Sequence, residues 1–112
     1  MSKKKEAVRQ AFRSAVFTRD NYRCVICGKQ ATKATVLEIL DAHHIVSRTE
    51  MPNGGYVKEN GVTLCKGDNE SSCHEKAEMV LKGKPIPGFF PDDLYTLIGS
   101  DRDRAFQESE KL

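Results

Sequence analysis

The sequence has no tryptophan, few aromatics (five Phe and three Tyr) and no long apolar run. Each shortage excludes something. A helix needs about 20 apolar residues to cross a bilayer, and the longest apolar-rich stretch, Val36 to Leu40, falls far short, so no membrane partner is expected. The start, Met-Ser-Lys-Lys-Lys-Glu, is not followed by an apolar segment of the signal-peptide kind, so a cytoplasmic protein is expected. With 30% charged residues in a 112-residue chain, a single domain over residues 1–112 is expected, with a core thin enough to need a disulfide, a metal or a partner. The four cysteines supply that means, and a reducing compartment favours zinc over disulfides.

Charge of one sign is also scarce, with a formal net charge of +2, but it is unevenly spread. Residues 1–33 carry nine Lys/Arg against two Asp/Glu, and residues 34–112 carry nine against fourteen. A basic front end is the usual footprint of a polyanion-binding surface, and equally of a solvated helix face. Residues 4–18 read as a helix with Val8, Ala11, Phe12 and Ala15 on one stripe. Lys5, Arg9 and Arg13 line an adjacent stripe and are candidate phosphate contacts.

The chain then turns at Asp20-Asn21 into Cys24-Val-Ile-Cys27-Gly28, whose spacing suits two zinc ligands. Residues 34–40 read as a strand, leading into Asp41-Ala42-His43-His44-Ile45-Val46. Residues 49–60 are loop, and 61–65 a short strand or turn. The second cysteine pair, Cys65 and Cys73, is separated by seven residues, so a shared zinc requires the segment 66–72 to double back. Buried free thiols or a redox Cys-x-x-Cys are the alternatives, although no βαβ setting for the latter is visible. A helix is expected from Ser72 or Cys73 to Gly83, a second from Pro91, and a last polar one over 101–110.

The three histidines sit close to this framework: His43 and His44 at a strand end, His74 beside Cys73. Adjacent strand residues face opposite ways, so His43 and His44 suit different tasks, one as a metal ligand and one as a base. His74 and Glu78 share one face of a helix at i, i+4 and could hold an ion against His43; Glu78 could equally be a plain solvent-facing acid.

The ordered set from Phe17-Thr-Arg19-Asp20 through Cys24-Val-Ile-Cys27-Gly28, Asp41-Ala-His43-His44-Ile45-Val46, Glu59-Asn60-Gly61-Val-Thr-Leu64-Cys65 and Cys73-His74 resembles the zinc-containing HNH endonucleases. The resemblance covers about residues 7–80. It implies an α+β fold: a small ββα-metal finger with a four-cysteine zinc site, flanked by an N-terminal helix and short C-terminal helices. The motif core would span about 17–83, with a helical tail over 84–112. It implies His44 as general base, His43 and His74 as ligands of a catalytic divalent ion (manganese, magnesium or nickel), and Asn60 as a loop brace. Glu78 stands where some relatives carry a further histidine ligand. Cys24, Cys27, Cys65 and Cys73 would hold structural zinc.

The implied activity is metal-dependent nicking or cutting of DNA, most naturally double-stranded, in a bacterial or phage-encoded setting. Arg48 is a further candidate phosphate contact beside the active site. The competing readings are a non-catalytic zinc-ribbon module binding nucleic acid or a protein, and a metal-dependent hydrolase of some other substrate. The paired histidines weigh against the first and the basic stretch against the second.

Overall fold

The structure is a computed structural model that describes residues 3–67 and 72–112. Its elements run α1 (Lys3–Arg19), α2 (Val36–Ile39), β1 (Leu40–His44), β2 (Gly61–Cys65), α3 (Cys73–Leu81), α4 (Pro91–Leu97) and α5 (Arg102–Glu110), with three 3-10 turns between the two strands. The strands pair antiparallel, Leu40 opposite Cys65 and His44 opposite Gly61. With α3 they form a small ββα unit, flanked by α1 before it and by α4 and α5 after it.

The long basic helix forms where expected, but its buried face is shifted. Phe12, Val16 and Phe17 are buried, whereas Ala11 is exposed and Val8 and Ala15 are half-buried. The larger side chains win the core because they bury more apolar area per residue. They also meet the sheet at a glycine. A Cβ on Gly61 would lie 2.5 Å from Val16 Cγ2 and 2.6 Å from Phe12 Cε1, so α1 approaches β2 to a distance that only glycine permits.

The end of α1 is tied to the same strand by polar contacts. Arg19 forms a two-pronged ion pair with Asp20, at 2.8 Å for each prong, and donates to the carbonyls of Lys58 and Gly61. Asp20 Oδ2 in turn accepts from the Thr63 N–H at 3.0 Å.

One expected element is wrong. The strand predicted over 34–40 begins only at Leu40, and Val36–Ile39 is a helical turn. Thr32 and Thr35 exchange side chain-to-backbone hydrogen bonds, and the Thr35 carbonyl accepts from Glu38 and Ile39. This local bonding offers the backbone an alternative to a ladder. The named strand β2 ends at Cys65, opposite Leu40, and the next contact is the Lys66 N–H donating at 3.0 Å to the carbonyl of Ile39, the last residue of the helical turn.

The later helices match their signals. Ser72 Oγ caps α3 by accepting from Glu75 N–H at 3.3 Å, and Gly83 follows the helix at φ +100°. Pro91 opens α4, and Asp101 caps α5 through the Arg104 N–H at 2.7 Å. These helices are not a loose tail. Leu94, Tyr95 and Ala105 are buried in the same core as Phe12, Leu40 and Leu64. Ser100 Oγ donates to the Glu59 carbonyl, and Asn53 Nδ2 to the Ser109 carbonyl. Among the described residues, no helix is long and apolar enough to cross a membrane.

Candidate active site and metal centres

Two clusters of metal-ligating side chains draw on the ββα unit, each taking a residue from the first turn of α3. The first gathers Cys24 and Cys27 from the turn after α1, Cys65 from the end of β2 and Cys73 from the start of α3. Gly28, at φ +81°, lets the Cys24–Cys27 turn close through its N–H to the Cys24 carbonyl at 3.0 Å. The spacing predicted a doubling-back between Cys65 and Cys73. Its result is visible in the Cys73 N–H donating to Cys65 Sγ at 3.3 Å, while residues 68–71 lie outside the described residues.

All four sulfurs lie within 4.8 Å of one another, and Cys27 and Cys65 stand 3.6 Å apart. That is too far for a disulfide of about 2.05 Å. It is close to the ~3.8 Å edge of a tetrahedron with Zn–S bonds of 2.3 Å. The donor set and its geometry therefore fit zinc. Burial opposes the Cys24 thiolate, but hydrogen bonds from the backbone of Cys27, Ile26 and Cys65 outweigh it and lower its pKa. Burial and the neighbouring Cys24 charge raise Cys73. A cation among the sulfurs would relieve that repulsion.

The second cluster gathers His43 from β1 with His74 and Glu78 from α3. Their ligating atoms also lie within 4.8 Å of one another. Glu78 Oε1 stands 3.6 Å from His43 Nδ1 and 3.2 Å from His74 Nε2. The hydrogen bond with His43 lowers the Glu78 carboxyl below its usual range despite partial burial. His43 is 2% exposed, and its Nε2 has no hydrogen-bond partner among the described residues. Two imidazoles and a carboxylate converging in this way suit one divalent ion with positions left open.

His44 faces the other side of β1, as strand alternation demands. Its ring stacks on Phe12 at 4.5 Å between centroids and meets Tyr56 edge-on at 4.7 Å. Burial, then the charge of Arg48, pushes its pKa down to about 4. The ring is thus held in one orientation and stays neutral at ordinary pH. His44, His43, His74, Glu78 and Arg48 nonetheless wall one open hollow of about 270 Å³.

Of the remaining expected residues, Arg9 and Arg13 line a neighbouring hollow with His44 and Arg48, whereas Lys5 lies further along α1. Asn60 is not in the hollow. It is fully buried behind it, donating to the Val46 and Gly55 carbonyls and accepting from the Val46 N–H at 3.1 Å. A Cβ on Gly55 would sit 2.7 Å from Asn60 Nδ2, so the loop closes tightly around this amide.

Three residues escaped the sequence reading. Asp41 Oδ2 reaches His74 Nε2 at 3.0 Å, and its place two residues before His43 on β1 was the available signal. Tyr56 accepts from Arg48 at 2.8 Å and walls the His44 ring, and Tyr95 donates to Asn60 Oδ1. Neither tyrosine carries a spacing signal, because each meets its partner only through tertiary packing.

No curated protein and no solved structure matches the chain. The family model described as HNH endonuclease matches residues 24–78, a segment that starts at the first cysteine and ends at the last carboxylate of the histidine cluster. Both clusters and both strands lie inside it, and residues 24–78 of this chain therefore belong to the HNH endonuclease family.

Proposed function

We propose that the protein is a metal-dependent DNA endonuclease in which His44 is the general base and His43, His74 and Glu78 hold one divalent ion. The observation that carries this reading is the joint wall of the hollow: an ion-binding trio and a fixed, neutral imidazole face the same space from the two sides of one strand. A manganese, magnesium or nickel ion, when bound there, supplies Lewis-acid polarisation of the scissile phosphate and charge for the leaving 3′-oxygen. The zinc cluster has no open position and serves the fold.

The chain's own residues do the rest. His44 takes a proton from the attacking water; the burial of its Nε2 supports Nδ1 as the accepting nitrogen. Phe12 and Tyr56 fix the plane of that ring, so the base needs no reorientation. Asn60 holds the segment that follows His44 by bonding both the N–H and the carbonyl of Val46. Asp41 Oδ2 lies 3.0 Å from the same His74 Nε2 that faces Glu78, and so borders the ion position. Arg48, Arg9 and Arg13 hold the phosphate backbone, with Lys5 further along the same helix. Products carry 5′-phosphate and 3′-hydroxyl ends. Four thiols used as ligands suit a reducing compartment.

The test is nicking of supercoiled plasmid by wild type and His44→Ala across a series of divalent ions. Nicking by the wild type that is lost in His44→Ala supports the reading. DNA binding by both proteins with no nicking by either leaves a zinc module that binds without cutting.

A further inference from the structure

The surface does not end at the catalytic hollow. Asp41, His44 and Arg48 wall both that hollow and a neighbouring one bounded by Phe12 and Arg13. Arg9, Arg48 and Tyr56 are shared in turn with a third cavity, the largest of the three at about 620 Å³. Val8, Tyr56 and Leu112 give this cavity an apolar wall, and Lys5, Arg9 and Arg48 give it a cationic rim. Its size lies within the ~300–1,000 Å³ of ordinary small-ligand sites. The catalytic reading uses its cations and leaves its apolar wall unused.

We infer that this cavity receives one unpaired nucleobase of the strand being cut, so that the protein favours DNA with an unpaired nucleotide beside the scissile bond. The inference rests on the nuclease reading of the adjacent hollow and adds a substrate class to it. A nucleotide joins a flat, largely apolar ring to an anion, and the cavity offers an apolar wall ringed by cations. Because Arg48 borders both the cavity and the catalytic hollow, a strand with its phosphate at His44 needs only a short step of backbone to reach it.

The concave shape selects against a paired base. In a duplex the two faces of each base are covered by its neighbours and its edge by its partner, so entry requires unstacking and unpairing. An unpaired base avoids that cost and leaves its phosphate on the rim. A Tyr side chain on the wall is the residue type on which bases stack without regard to sequence. The preference should therefore be for structure and not for sequence.

The experiment is fluorescence anisotropy of the zinc-loaded protein with three DNA probes: a blunt duplex, the same duplex with one unpaired nucleotide, and that probe with an abasic residue in the unpaired position. The unpaired-base probe should bind about tenfold tighter than the other two, the scale of one stacked base. Val8→Trp, which fills the cavity, should erase the difference between base and abasic probes, and Val8→Ala should retain it. Equal binding of base and abasic probes by the wild type overturns the inference, and this comparison alone decides if Val8→Trp does not fold. A folded Val8→Trp protein that keeps the full difference also overturns it. Binding is read without cleavage, so a protein that discriminates the probes but nicks nothing keeps the cavity assignment and loses the nuclease reading.

Discussion

Tyr95 Oη donates a 2.8 Å hydrogen bond to Oδ1 of Asn60, 35 residues earlier in the chain. Both side chains are buried, and burial raises the Tyr95 phenol to about 12, so it remains a donor at every working pH. The bond joins α4 to the amide that braces the segment after His44. Tyr95→Phe should cost about 1 kcal/mol, the usual net worth of one such bond, in denaturant unfolding. Asn60→Ala strands the Val46 N–H and carbonyl as well and should cost more. Equal stability of Tyr95→Phe and wild type would show that the hydroxyl is a passenger.

The two adjacent histidines should respond differently to substitution. His44→Ala should lose roughly 10²–10⁴ in nicking rate, the contribution of a positioned base, while still binding the catalytic ion. His43→Ala should lose ion affinity, and His43→Asp should keep some activity with a shift toward magnesium. Calorimetric ion binding and plasmid nicking on the three variants check this. Ion binding lost in His44→Ala but kept in His43→Ala reverses the assignment.

Zinc removal should unfold the protein, because in such a small domain the metal's binding energy is folding energy. One equivalent of zinc is expected by elemental analysis, and Cys24→Ser or Cys73→Ser should lower the melting temperature or abolish folding. Full helical circular dichroism after exhaustive chelation would contradict it.

His44 also makes a pH prediction. Its folded pKa of about 4 lies below the ordinary 6.5. The unfolded chain therefore binds more protons between these values, and stability falls as pH is lowered through that window. Thermal melts at pH 7, 5.5 and 4.5 should show the loss, and His44→Ala should show a shallower one. The same shift leaves the base unprotonated down to about pH 4, so no activity limb near pH 6.5 should arise from His44.

Arg9 and Arg13 flank the hollow that contains His44. Reversing both to Glu should weaken DNA binding and flatten its dependence on salt, since fewer counterions are released. An unchanged salt slope would leave them as a solvated helix face.

Much of the site was legible because its signals are local. Cys24-x-x-Cys27-Gly28, the strand position of His43 and His44, and the i, i+4 pair His74 and Glu78 are each fixed by backbone geometry within a few residues. The helix starts at Ser72, Pro91 and Asp101 were legible for the same reason. The segment 34–39 was not: Val, Leu and Ile there suit a strand, but the Thr32–Thr35 bonding and the bonds from Glu38 and Ile39 to the Thr35 carbonyl decided for a helical turn. Ala11 shares the apolar stripe by periodicity alone, which does not weigh Val16 and Phe17 against it. Asp41, Tyr56 and Tyr95 were missed because their partners are chosen by tertiary packing.

Cys73 and His74 are consecutive, yet one turns into the sulfur cluster and the other into the histidine cluster. A single peptide bond is common to both. If zinc in the sulfur cluster orders the start of α3, an ion held by the histidine cluster gains affinity from that order, and by reciprocity that ion tightens the zinc.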